Sequence, residues 1–270
     1  MDIYWAMFYG FIQGVTEFLP VSSSGHLALI PYFFKLQDPG VLFDLMMHLG
    51  TAIAVILYFH QEVLRLILET KKIIMDRNLK DTVFCQNFLI STFFSFILIL
   101  IIKKTALTYG RSPLFIGFNF IFFGILMYIA DRKNRGDLDL TQVKGFKKSI
   151  LIGLSQSLAI FPGVSRSGIT LTTSRFLGMN RLEASRFSFL LSLPVILGSI
   201  LFKLPEILSG SATPVSLELI LIGVFGSFFF GFITIHFFLK LISKVGLHYF
   251  SIYRVIIGAL LLLLYLNSIG

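Results

Sequence analysis

Apolar residues in this sequence gather into eight long stretches, and that pattern leaves few options for the fold. Six stretches run unbroken, at approximately 43–60, 84–102, 113–130, 187–203, 216–239 and 253–268. Each is close to the roughly 20 helical residues that cross a bilayer core about 30 Å thick. Two more, 3–34 and 149–178, are interrupted midway by Pro20-Val21-Ser22-Ser23-Ser24-Gly25 and Pro162-Gly163-Val164-Ser165-Arg166-Ser167-Gly168. Irregular backbone at membrane depth persists only where protein or a wet cavity covers it, so both predict re-entrant helical hairpins with buried tips. Charged residues form only 14% of the chain, against roughly 25% in soluble domains, too few to cover a water-facing surface. A soluble enzyme is excluded, and one all-α polytopic membrane domain over 1–270 is expected.

The formal charge of +9 raises the question of nucleic acid, but the positions of the cations answer it. Lys and Arg concentrate in 61–81 (Arg65, Lys71, Lys72, Arg77, Lys80) and in 131–148 (Arg132, Lys133, Arg135, Lys144, Lys147, Lys148). Both segments lie between apolar stretches, which is the positive-inside signature of cytoplasmic loops rather than a nucleic-acid footprint. Glu62, Glu69, Asp76 and Asp81 lie in the first of these loops and read as solvated. The single cysteine, Cys85, excludes an internal disulfide and any multi-cysteine metal site. The start Met1-Asp2-Ile3-Tyr4-Trp5 has no basic n-region and is expected to remain in the mature protein.

The two broken stretches are copies of each other. A shift of 143 residues lays Gly10 on Gly153, Gln13 on Gln156, Phe18 on Phe161, Val21 on Val164, Ser22 on Ser165, Ser24 on Ser167 and Gly25 on Gly168 without a gap. The same shift lays 43–60 on 186–203. The chain thus reads as two halves, about 1–130 and 149–270, joined by the basic linker 131–148. Each half is one broken hairpin followed by three crossings. A hairpin returns to the side it entered from, and three crossings separate the two hairpins, so they enter from opposite faces. That is an inverted-topology repeat, an architecture that builds a midplane site from discontinuous helices. With the basic segments inside, the first hairpin opens outward, the second opens inward, and both termini lie outside.

The repeat also separates scaffold from chemistry. Shared Ser and Gly positions are explained by helix capping and by the bend. The unshared polar positions are Glu17 against Ile160, Ser23 against Arg166, His26 against Ile169 and Thr170 against Leu27. Ionisable residues at membrane depth are functional suspects by default. Gln13 and Glu17 are four apart and share one helix face. Arg166 offers a planar guanidinium for phosphate, and both broken turns add backbone N–H groups at helix starts; a structural Arg166–Glu17 pair would place both in one site. His26 follows the serine turn and suits proton transfer or phosphoryl attack. Ser22 and Ser24 read as caps, whereas Ser23 has no counterpart and is a candidate nucleophile. Asp44 and His48, another pair four apart, read either as a shell around the site or as a helix-end pair.

The run Gln13-Gly14-Val15-Thr16-Glu17-Phe18-Leu19-Pro20-Val21-Ser22-Ser23-Ser24-Gly25-His26, with Pro162-Gly163-Val164-Ser165-Arg166-Ser167-Gly168-Ile169-Thr170, closely resembles the undecaprenyl-diphosphate phosphatases, also called bacitracin-resistance proteins. The resemblance continues through Phe43-Asp44 to Thr51 and Phe187–Leu191 and so covers essentially the whole chain. It implies a multi-pass enzyme of the bacterial plasma (inner) membrane, with its site open to the periplasmic side. Such an enzyme removes the terminal phosphate of the C55 isoprenoid diphosphate and regenerates the lipid carrier for peptidoglycan. Bacitracin acts by sequestering that substrate, and a homodimer is compatible with the resemblance. By motif position it implies an active-site set of Glu17, Ser22, Ser23, His26, Ser165, Arg166 and Thr170, with Ser167 beside them, and a divalent cation, Mg2+ or Ca2+. Where the family's acidic pair begins with Glu or Gln, this chain has Gln13, so the cation is expected on Glu17, Gln13 and the substrate's own oxygens.

The expected mechanism gives Arg166 and the turn amides the transferred phosphoryl charge, Glu17 the cation or a proton, Ser23 the nucleophilic attack and His26 the proton relay. Phospho-histidine formation and direct water attack stay open. A flippase for the monophosphate lipid would need the same anion pocket but no nucleophile. A second class of membrane lipid phosphatase shares Ser-Gly-His and Ser-Arg motifs but needs a later His with a distant Asp, and no aspartate follows Asp139 here.

Overall fold

The computed structural model of the protein describes residues 2–75, 82–109, 112–133, 136, 138, 146–208 and 215–267. Among them the chain forms eleven α-helices and no strand: α1 (Ile3–Phe18), α2 (Ser23–Phe34), α3 (Val41–Tyr58), α4 (His60–Met75), α5 (Val83–Tyr109), α6 (Pro113–Lys133), α7 (Lys147–Ser157), α8 (Arg166–Phe176), α9 (Arg181–Leu208), α10 (Leu217–Val245) and α11 (His248–Asn267). Six of these, α3, α5, α6, α9, α10 and α11, are long and apolar enough to cross a membrane. They match the six unbroken stretches. The two interrupted stretches become the helix pairs α1–α2 and α7–α8, with a short 3-10 turn at Leu158–Ile160 closing α7.

One expectation changes. The segment 61–81 reads as a solvated loop, yet most of it continues as α4. There Glu69 is buried and receives the Arg65 guanidinium at 2.6 Å, an i,i+4 pair. Leu66 and Glu69 turn toward the bundle, while Leu64, Ile67, Leu68 and Ile74 lie exposed on the outer side of the helix. Asp76, Asp81 and most of the linker 131–148 lie outside the described residues.

The most extensive packing joins helices before the linker 131–148 to helices after it. α1 packs along α10, and its counterpart α7 packs along α5, the counterpart of α10. Glycine makes both approaches possible. A Cβ at Gly10 would lie 2.4 Å from the Gly223 carbonyl oxygen, and one at the matching Gly153 would lie 2.3 Å from that of Ser91. Small residues at such seams let backbones touch, which is how helices associate without a hydrophobic driving force between them.

The ends of the helices sort into two faces. At one, the Asp131 carboxylate near the end of α6 takes a bidentate bond from Arg181 of α9 at 2.7 and 2.9 Å, accepts the Leu247 N–H ahead of α11 at 2.9 Å, and lies 3.3 Å from Arg175 of α8. The start of α7 joins the start of α5 on that side, where the Ser149 hydroxyl donates to Asn87 at 2.7 Å. At the other face, Trp5 and Phe8 of α1 pack on Phe34 of α2. The α1–α2 pair therefore starts at one end of the bundle and the α7–α8 pair at the opposite end.

Candidate active site

Both broken turns use the same backbone device at the same repeat position. Ser22 has φ 72° and Ser165 has φ 70°, the left-handed region that costs an L-residue roughly 1–2 kcal/mol. Each is the N-cap of the following helix. The Ser22 Oγ accepts the Gly25 N–H at 3.4 Å, and the Ser165 Oγ accepts the Gly168 N–H at 3.1 Å. Strain at a non-glycine position persists only where the surroundings over-determine it. Here the two turns hold each other: Gly163 N–H donates to Ser22 Oγ at 3.1 Å, and the Ser167 hydroxyl donates to the carbonyls of Glu17 and Leu19, both at 3.1 Å.

This interlock brings two charges together against the preference of their helices. Glu17 occupies the last turn of α1, the negative end of the helix dipole, and Arg166 is the first residue of α8, the positive end. Each is placed where its own helix disfavours it, and each compensates the other. Arg166 Nη2 bonds directly to Glu17 Oε1, while Nη1 donates to the Ser192 carbonyl at 3.1 Å. The other carboxylate oxygen accepts from Gln13 Nε2 at 2.8 Å and from the Ser23 hydroxyl. The i,i+4 face predicted for Gln13 and Glu17 is thus present, and the pair predicted between Glu17 and Arg166 closes the junction of the two halves.

A cavity of about 360 Å³ opens beside this junction. Its polar wall carries Glu17, Ser23, Ser24, Asp44, His48, Ser165 and Arg166, and its other walls are largely apolar, with Val41, Ile99, Ala106, Ile160 and Ile196. Not every motif residue lines it. The hydroxyls of Ser22 and Ser167 serve the interlock, and Thr170 Oγ1 donates to the Arg166 carbonyl at 2.7 Å and bonds with Ser188. Of Ser22, Ser165, Arg166, Ser167 and Thr170, the residues expected to bind the substrate's phosphate, Ser165 and Arg166 line the cavity.

The two histidines change places relative to expectation. His26 faces away from the cavity, stacked on Tyr253. Its Nδ1–H donates to the Ser22 carbonyl at 2.7 Å, so the neutral ring accepts the Tyr253 hydroxyl at Nε2, also at 2.7 Å. His48 does line the cavity. Its Nδ1–H donates to the Asp44 backbone carbonyl at 2.8 Å, and its Nε2 comes within 3.4 Å of Glu17 Oε2. With one nitrogen committed as a donor, Nε2 is the atom free to take a proton beside the carboxylate.

Three residues of the junction had no place in the sequence reading. Arg254 of α11 is fully buried behind the two turns, Asn119 of α6 donates to the Pro162 carbonyl at 2.9 Å, and Ser192 receives Arg166. Arg254 did carry a signal, because a lone cation within an apolar stretch marks a functional position.

Residues 6–260 match the sequence profile of the family described as bacitracin resistance protein BacA. An undecaprenyl-diphosphatase of Geotalea daltonii is 40% identical over 265 residues, 97% of this chain and 98% of that protein. One from Moorella thermoacetica is 39% identical over 97% of both chains, and one from Pelotomaculum thermopropionicum is 38% identical over 98% of this chain and 97% of its own.

Proposed function

The chain belongs to the bacitracin resistance protein BacA family, and from that premise we propose that it hydrolyses undecaprenyl diphosphate to undecaprenyl phosphate and inorganic phosphate. It does so as a multi-pass enzyme of the bacterial plasma membrane, returning the lipid carrier to peptidoglycan synthesis. The observation that carries this reading is the single cavity where Glu17, Ser23 and Arg166 meet and whose remaining walls are apolar. A diphosphate headgroup fits the polar wall, and the isoprenoid tail leaves along the apolar one. The first hairpin opens toward the end of the bundle opposite the Arg175–Asp131–Arg181 cluster, which supports access from the outer side.

In this mechanism Arg166 turns from Glu17 to the terminal phosphoryl group, where a planar guanidinium binds two oxygens at once. Free N–H groups at the start of α8 share the same charge. The Ser23 hydroxyl already donates to Glu17, so the carboxylate takes its proton as the oxygen attacks phosphorus. The bond from phosphorus to the bridging oxygen breaks, and undecaprenyl phosphate departs. Water then attacks the phosphoserine, its proton passing to His48 Nε2 while the protonated Glu17 returns its proton to the departing Ser23 oxygen, and inorganic phosphate leaves. His26 supports the first turn from outside the cavity.

A divalent cation fits this donor set. Mg2+ takes one or two protein carboxylates and completes its shell with water and substrate phosphate. Glu17 and Asp44 line the cavity, and the Gln13 Oε1 beside Glu17 is buried with no hydrogen-bond partner among the described residues. Glu17 and Gln13 would hold the ion, which when bound offsets charge on the diphosphate. The test is phosphate release by purified protein from a long polyprenyl diphosphate, with and without chelator, against a soluble phosphate ester. Release from the lipid substrate is expected, and activity on the soluble ester alone would overturn the reading.

A further inference from the structure

Arg254 is fully buried, and among the described residues its guanidinium lies over the Phe120 ring at 5.7 Å and donates hydrogen bonds only to carbonyl oxygens. Nη1 donates to Pro20 O at 3.2 Å in the first turn, and Nη2 donates to Gly163 O at 2.7 Å and Val164 O at 2.9 Å in the second. Further bonds reach Asn119 O at 3.3 Å and Phe120 O at 3.4 Å. The Asn119 side chain takes the carbonyl of Pro162, so three successive carbonyls of the second turn are drawn to one side.

The peptide plane gives this consequence. Because C=O and the following N–H are antiparallel in a trans peptide, holding the Val164 carbonyl toward Arg254 turns the Ser165 N–H the other way. Ser165 and Arg166 line the cavity, and Arg254 does not. A neutral amide suffices to tie carbonyls, as Asn119 demonstrates. Burying a cation without a carboxylate partner is far more expensive, and it is compensated where an anionic ligand binds close by. We propose that Arg254, assisted by Asn119, is the positioning residue of the phosphate site: it fixes both broken turns and aims the Ser165 amide and Arg166 at the phosphoryl group. The inference rests on the phosphatase reading for its substrate, though not for its test.

The test uses inorganic pyrophosphate as probe, with affinity read from the rise in melting temperature of the full chain in detergent, so that no turnover is needed. The variants are R254K, R254M and N119A. Pyrophosphate affinity is expected to fall about tenfold or more in R254K and R254M and severalfold in N119A, because a misaimed guanidinium loses its paired bonds. A merely structural role lowers the melting temperature while leaving the affinity of the folded molecules unchanged; affinities within twofold of the parent chain in folded variants would overturn the proposal. If neither Arg254 variant folds, N119A decides by the same measure. A parent chain that pyrophosphate does not stabilise would also refute it. A parent chain that binds pyrophosphate but releases no phosphate from the lipid would refute the phosphatase reading alone.

Discussion

The two broken turns share a backbone and differ in nearly everything that could do chemistry. Ser22 and Ser165 adopt the same left-handed conformation, and both cap the amide three residues on. Around that common frame, one turn carries Glu17 and Ser23, while the other carries Ile160 and Arg166 at the matching positions. The common frame sets a helix start at each turn, and the differences set a carboxylate and hydroxyl on one side and a cation on the other. Shared Ser22, Ser165 and Ser167 hold the turns in shape, and unshared Glu17, Ser23 and Arg166 meet in the cavity.

The largest effect should come from erasing the difference in charge. Arg166→Ser, which gives the second turn the residue of the first, should lower kcat/KM by about 10³-fold or more, measured as phosphate release from the lipid substrate. Glu17→Gln should do the same and also destabilise the fold by about 3 kcal/mol, because it leaves a largely buried cation unpaired. The double variant Glu17→Gln/Arg166→Gln should regain much of that stability without regaining activity. Recovery of activity in the double variant would mean that the pair is structural only.

A smaller effect separates the two faces of the first turn. Ser23→Ala should cost about 10²-fold in kcat through loss of the group that passes its proton to Glu17. His26→Ala should cost about tenfold, the scale of one lost hydrogen bond in the turn, with Tyr253→Phe milder still. A His26→Ala loss as deep as that of Ser23→Ala would place His26 in the chemistry and contradict the cavity geometry.

The smallest effect tests what the turns share. Ser22→Ala and Ser165→Ala should each cost about 1 kcal/mol or more in thermal unfolding, from a lost cap and a left-handed alanine. The glycine variants should cost only a few tenths, since glycine adopts that conformation freely. Equal losses from alanine and glycine would show that the positive φ imposes nothing.

The crossings were legible because a membrane demands long apolar runs, and the breaks because Pro, Gly and Ser interrupt them at one spacing in both halves. The Glu17–Arg166 junction followed from comparing the halves position by position. Helix α4 was hidden by its charges: Arg65, Lys71 and Lys72 suggest a loop, and only the bundle shows that Glu69 is buried beside Leu66. The exchange of roles between His26 and His48 was also out of reach, because it depends on which side of α2 and α3 meets the cavity. Arg254 and Asn119 belong to no motif and act on backbone atoms, which sequence patterns do not record.

The pairing of α1 with α10 and of α7 with α5 has an evolutionary corollary. A half-length ancestor would have left the grooves for its first helix empty and would have needed a second, oppositely inserted copy to fill them. Such a symmetric pair carries every side chain twice, so a Glu at the position of Glu17 would stand also at that of Ile160, and an Arg at the position of Arg166 also at that of Ser23. Two unlike turns in one chain instead place a single carboxylate and a single guanidinium at the junction and leave Ser23 where a copy of Arg166 would stand.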